Sequence, residues 1–218
     1  MPRLRGAFFL SDGRFIELPA APPMSAGAMR ALARRIWHGR APVPACWLRR
    51  AAQLAQETPQ LPGRVHPQGR FEDEALWQAL SACLPDDLAA ALRRPFEWYG
   101  CRGAGFHTDA HYDAVLFGAW CLAGPERDIV LASGPRIRCA WGELAVFDPF
   151  QPHAVLDPDE GCYLRDRYAA APANVFLGFE LELTTLVRHR FAIGPAEPGA
   201  FSIGSATAVN AETGQIVL

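Results

Sequence analysis

The chain has 218 residues, half of them apolar and a fifth charged, with a formal net charge of −2. That length supports a sizeable buried core, and the near-neutral charge gives no ground to expect nucleic acid or an anionic membrane as partner. All 21 basic residues are arginine, which excludes a Schiff-base lysine, a P-loop lysine or a lysine general base.

From the N-terminus, residues 7–18 (AFFLSDGRFIEL) predict a β-hairpin, two apolar runs about Ser-Asp-Gly, with Gly13 able to take the positive φ of a tight turn. A Pro-rich connector follows. Ser25 then predicts a capped helix, with Met29, Leu32, Ala33, Ile36 and Trp37 at helical spacing and Gly39 ending it. A second helix is predicted over 44–57, a loop over 58–70, a helix over 71–83 and a short helix from Pro85 to Arg93. After Pro95 the pattern changes to short β-branched and aromatic runs broken by Gly and Pro. They fall near 96–100, 104–109, 114–122, 127–132, 136–140, 143–148, 153–156, 162–168 and 174–187, then 201–203 and 206–218 about an Asn-Ala-Glu-Thr-Gly turn. The fold class expected is α+β, mainly β: a sandwich or barrel with N-terminal helices on one outer face. The chain reads as one unit, with an N-terminal hairpin and helices over 1–94, a barrel core over 95–190 and C-terminal strands or tail over 191–218.

Six cysteines are scattered without a C-x-x-C pair, so a zinc ribbon or thioredoxin motif is not expected. The first apolar run is too short for a signal peptide, and no run of about 18 apolar residues suits a membrane span. A reduced, cytoplasmic protein is expected.

The polar cluster His107, Asp109, His111 and Asp113 recurs at every second position within an apolar stretch. On a strand, His107 and Asp109 share a face within reach of one ion. Chance gives roughly 0.3 such H-x-D pairs in a chain of this composition, so alone the pair reads equally as a half-exposed histidine beside a solvated carboxylate. His153 opens a strand after the Asp-Pro-Phe-Gln-Pro turn, and a hairpin would present its imidazole near that turn. Taken together, two imidazoles and one carboxylate with no thiolate suit Fe(II) with open positions.

At these residues the chain resembles the iron(II)- and 2-oxoglutarate-dependent dioxygenases, especially the prolyl-hydroxylase-like members. YGCRGAGFHTD (99–109) is similar to their tyrosine, glycines, aromatic and H-x-D, and Gly142, Leu144 and Phe147 precede His153 as in their G-x-L-x-x-F segment. The resemblance covers roughly 71–187. It implies a double-stranded β-helix, or jelly roll, with Fe(II) on His107, Asp109 and His153. It also implies 2-oxoglutarate and O2 as cosubstrates and oxidation of an unactivated C–H bond. The retained Asp109 argues for hydroxylation rather than halogenation. The family places a cation for the far carboxylate some ten to fourteen residues past the distal histidine. Position 163 is tyrosine, and Arg165 and Arg167 in CYLRDRY fall twelve and fourteen residues on. Arg165, Arg167, Tyr99 and Tyr163 are therefore the cosubstrate candidates, with Arg188 and Arg190 as fallback, and His111 and Trp120 the candidates beside substrate or metal ligands. The expected substrate is a small molecule, an amino acid or a peptide. The tail after Ile193 is expected either to close over the barrel mouth or to exchange strands in a homodimer. Two other readings stand beside this one: a cupin-like metalloenzyme without 2-oxoglutarate, and an inert barrel serving as a partner-binding domain.

Overall fold

The computed structural model describes residues 13–217. Along the chain these form β1 (Arg14–Glu17), β2 (Met24–Ala26), β3 (Arg30–Ala31), β4 (Arg35–Arg40), α1 (Ala45–Glu57), β5 (Val65–Phe71), α2 (Glu74–Ser81) and α3 (Asp86–Ala89). Then come β6 (Phe96–Cys101), β7 (Ala104–His107), β8 (Val115–Ala123), β9 (Arg127–Leu131), β10 (Arg136–Cys139), β11 (Glu143–Phe147), β12 (His153–Leu156) and α4 (Arg165–Tyr168). The chain continues through β13 (Asn174–Glu182), α5 (Thr185–Arg190), β14 (Phe201–Ile203), β15 (Ala208–Val209) and β16 (Ile216–Val217). The first strand of the hairpin predicted over 7–18 lies outside the described residues; its second strand is β1.

The molecule is mainly β. Two antiparallel sheets carry most of it: a seven-stranded sheet in the order β1-β4-β11-β8-β13-β6-β5, and a four-stranded sheet in the order β10-β9-β12-β7. Side-chain alternation decides what lies on each face. In the large sheet, Ile36, Tyr99, Phe117, Ala119, Cys121, Ala145, Phe147 and Phe176 point inward and meet Ile129, Leu131, Ile137, Cys139 and Val155 of the small sheet. Their neighbours Trp37, Trp98, Leu116, Trp120, Leu144, Val146 and Leu177 point outward and are covered by Ala51 and Leu54 of α1 and by Leu76 and Leu80 of α2. Asp73 caps α2, accepting from the Leu76 N–H at 2.9 Å. Because both faces of the large sheet are buried, its strands read as continuous apolar runs. The outer face of the small sheet is covered by Tyr163 and Tyr168.

Several expectations are corrected. Residues 25–39 are not a helix but β2, β3 and β4. Ile36 faces the interior and Trp37 the helical layer, so burial on both sides of one strand produced a spacing that mimics a helix, and Met29 stays exposed. The 58–70 segment is not all loop: β5 pairs with β6 as the sheet's edge, where Pro67 is tolerated and the register shifts between Pro67 and Arg70. The hairpin expected about residues 148–152 is a crossover between sheets: β11 pairs with β4 and β8, and β12 with β7 and β9. The run at 162–168 contains α4 rather than a strand, and 174–187 divides into β13 and α5. The tail packs on its own chain. β14 runs parallel to β2, and the turn joining β15 to β16 covers the edge of β7, where the Phe106 N–H donates to the Ala211 carbonyl at 2.8 Å. Among the described residues no helix is long and apolar enough to cross a membrane.

Candidate metal centre

His107 and His153 are register partners across the β7–β12 ladder. The next pair is Val155 with Ala104, so three steps along β7 oppose two along β12. This bulge turns Phe106 to the outer cluster and aims His107 back at His153. The rings lie 4.4 Å apart between centroids. Asp109 is not on the strand, as its spacing from His107 suggested, but in the turn beyond it. Its N–H donates to the Pro149 carbonyl at 2.9 Å, and its own carbonyl accepts from the Tyr112 N–H. Asp109 Oδ1 stands 3.8 Å from His107 Nε2 and Oδ2 stands 3.6 Å from His153 Nε2. All three donor atoms fall within 4.8 Å of one another.

The tautomers are set by the backbone. His107 Nδ1 lies 2.8 Å from the Gly105 carbonyl and His153 Nδ1 lies 2.8 Å from the Gln151 carbonyl. A carbonyl only accepts, so each Nδ1 carries the proton and each Nε2 presents its lone pair toward Asp109. Burial, then the neighbouring His153, pushes His107 down to about 4 against the opposing pull of Asp109 and the Gly105 carbonyl. Burial pushes the Asp109 carboxyl up, but His153, then His107 and His111, outweigh it and hold the group below its ordinary value. At neutral pH the trio therefore offers a neutral His107 and a carboxylate, the forms that ligate metal. Adjacent donors on one divalent ion with bonds of about 2.1 Å stand about 3 Å apart, so the 3.6 and 3.8 Å pairs here would close by roughly 0.6–0.8 Å to share one. The donor set and its spacing fit such an ion.

The trio opens into a cavity of about 640 Å³ between the sheets. Its wall is apolar and aromatic, with Phe117, Phe147, Val155, Ile129 and Phe176. At its rim, Tyr99 donates to Glu97 at 2.8 Å and shares a 3.1 Å hydrogen bond with Tyr112. Burial, Tyr112 and Glu97 all push the Tyr99 phenol up, so it stays protonated. The buried cation of the cavity is Arg127, at the head of β9. Its Nη2 donates to the Pro172 carbonyl at 3.2 Å, its Nη1 lies 3.5 Å from Asp157, and its guanidinium rests over Tyr168. Among the described residues, Nε and Nη1 have no hydrogen-bond partner.

The remaining sequence candidates divide. Tyr99 lines the cavity, and His111 stands exposed at its rim against Tyr112. Arg165 and Arg167 sit on exposed α4, where Arg167 pairs with Glu160 at 2.5 Å and Asp157 at 3.7 Å. They are not cavity residues, because the segment turns as a helix outside the small sheet. Arg188 donates to the Leu183 carbonyl and Arg190 pairs with Asp87, both away from the cavity. Tyr163 stacks on Tyr168 behind the small sheet. Trp120 faces α1 and packs edge-on against Trp47, because the parity of β8 sends Phe117, Ala119 and Cys121 to the cavity and Trp120 away from it. Arg127 and Tyr112 were missed. Spacing from the triad does not mark Arg127, which stands between Glu126 and Asp128 at the head of an otherwise apolar strand.

No protein-family model and no curated protein matches the chain. Among solved structures, the crystal structure of an oxidoreductase of the 2OG-Fe(II) oxygenase family from Burkholderia pseudomallei aligns with 78% of this chain and 72% of its own. The identity is 13% and the TM-score 0.32. At that TM-score the likeness carries no argument about fold or function.

Proposed function

We propose that this protein is a non-haem Fe(II)- and 2-oxoglutarate-dependent dioxygenase that oxidises an unactivated C–H bond of a small molecule or amino-acid-like substrate. The observation that carries the reading is the convergence of His107, Asp109 and His153, with both Nε2 lone pairs and one carboxylate turned to a common point. Fold organisation supports it. Strands β6 to β13 pass between two antiparallel sheets, as a double-stranded β-helix requires, and on this reading residues 95–190 are its core.

In this reading His107, Asp109 and His153 hold the iron, and the ion with 2-oxoglutarate supplies the oxidation of the C–H bond by dioxygen. The chain's own part is to bind, orient and dry. Gly105 and Gln151 fix the imidazole tautomers. Arg127 provides the cation for the distant carboxylate of the keto acid. It lies four residues along β9 from Leu131, the register partner of His153, about 13 Å at the usual rise, which its own side chain and an extended five-carbon diacid divide between them. Phe117, Phe147, Phe176 and Val155 keep the cavity apolar, and low polarity strengthens each charge contact within it. Substrate enters past Tyr112 and His111.

A second reading, a metal-dependent enzyme that does not use 2-oxoglutarate, is favoured by one observation: Arg127 already faces Asp157 and donates to Pro172. One experiment separates the two. Anaerobic protein with Fe(II) is titrated with 2-oxoglutarate. A visible charge-transfer band, absent from Asp109→Ala, supports the dioxygenase. Iron binding with no change on adding the keto acid supports the second reading, and no iron binding rejects both.

A further inference from the structure

Three of the six cysteines lie in the apolar cluster between the two sheets: Cys101, Cys121 and Cys139. The metal reading uses none of them. Cys121 stands on the inner face of β8 in the large sheet and Cys139 closes β10 in the small one, and both line the cavity. They do not share a ladder. They are brought together where β10 passes into β11, because the Gly142 N–H donates to the Cys121 carbonyl at 2.8 Å and so ties the chain three residues past Cys139 to the backbone of Cys121. The two cysteines are neighbours at this junction, in one apolar cluster. Cys101 differs: it is fully buried, does not line the cavity, and its sulfur accepts the Gly103 N–H at 3.3 Å.

We propose that Cys121 and Cys139 are a modification site, a dithiol that peroxide converts to a reversible disulfide stapling the two sheets together across the cavity. The cavity supplies the access that burial denies to Cys101, and the partner supplies the resolving thiol that a lone buried cysteine lacks. The chemistry balances with hydrogen peroxide as the sole oxidant. One thiolate takes an oxygen from peroxide as the O–O bond breaks, giving a sulfenic acid, and the departing hydroxide leaves as water with the proton of that thiol. The second sulfur then attacks the sulfenic sulfur, the S–S bond forms, the S–O bond breaks and a second water leaves. The neighbouring Cys139 and burial push the Cys121 thiol up, so Cys121 rests as the thiol at neutral pH. The inference does not depend on the metal or on the oxidation reaction proposed above.

The test uses the full chain in which the three outer cysteines are replaced, C46S/C83S/C162S. Peroxide-treated protein is unfolded, alkylated with iodoacetamide and digested with trypsin. Since every basic residue is arginine, Cys121 is released in peptide 103–127 and Cys139 in peptide 139–165. The expected result is a loss of 2 Da, these two peptides joined, Cys101 alkylated, and full reversal by dithiothreitol. If the triple variant fails to fold, the unaltered chain shows the same joined pair, with fragment ions placing the link on Cys139 and Cys162 alkylated, and adding Cys139→Ser abolishes the 2 Da loss. Cross-linking through Cys101, or oxygen addition with Cys121 and Cys139 left unjoined, overturns the proposal.

Discussion

A buried guanidinium with open donors costs free energy until an anion meets it. Arg127 meets one only loosely, with Asp157 3.5 Å from Nη1, no hydrogen-bond partner at Nε or Nη1 among the described residues and a side chain 2% exposed. Replacing it with glutamine removes the charge-assisted contact proposed for the keto acid, a contact of about 1.5–3 kcal/mol, or about ten- to a hundredfold in affinity. The expected outcome is that Kd for 2-oxoglutarate, measured anaerobically with Fe(II), rises by that factor in Arg127→Gln and does not change in Arg165→Gln. The second variant matters because the sequence points to Arg165. Distance along the chain from His153 was a misleading guide there, since the residues that approach the cavity floor are fixed by strand register rather than by spacing. A second prediction concerns pH. His107 is held at about 4 in the folded protein, against about 6.5 in an unfolded chain. Between these values the unfolded state binds the extra proton, so the metal-free protein loses stability as pH falls from about 6.5 to about 4, with no further loss from this group below that. The slope stays below about 1.4 kcal/mol per pH unit, the ceiling for one proton, and solvent at the 33%-exposed imidazole lowers it further. Urea melts from pH 4 to 7 check this, and His107→Gln flattens the slope.

The crossover between β11 and β12 shows how an element can be aimed by residues remote from it. Asp148 is buried and bonded to Arg30 at 2.6 and 3.1 Å, to the Ala33 N–H at 2.9 Å and to the Phe150 N–H at 3.2 Å. Gln151 donates to the Ala33 carbonyl at 2.7 Å, and its own carbonyl orients His153. The segment before the distal histidine is thus bolted to β3 and the residues after it. Arg30→Ala leaves an uncompensated buried carboxylate, which typically costs 3–5 kcal/mol. A urea melt at pH 7 is expected to show that loss, with metal affinity falling as His153 loses its support. None of this was readable in advance: residues 25–39 carry apolar side chains at helical spacing, and only the opposite burial of Ile36 and Trp37 on β4 reveals a strand. The strands between 96 and 156 were readable, because Gly and Pro punctuate them and each apolar run is short. The segment 158–173 was not, since the four residues of α4 are too few to show a period.

At the scale of the whole molecule, the sequence disclosed the two-face logic of a mainly β protein with helices on one side, and it disclosed the trio of His107, Asp109 and His153. It did so because those residue types have few reasons to recur within apolar strands. It did not disclose the cavity between the sheets, whose floor and rim join residues from β5, β6, β8, β9 and β13 that no local pattern relates. The dioxygenase reading of this cavity depends on one divalent ion being shared by the three donors. The direct measurement is a Co(II) titration of the metal-free protein, followed by the visible spectrum of the bound ion and by calorimetry. One ion per chain is expected, with binding lost or weakened by at least about tenfold in each of His107→Ala, Asp109→Ala and His153→Ala, and retained in His111→Ala. Full binding in any of the first three variants, or none in the parent protein, contradicts the dioxygenase reading.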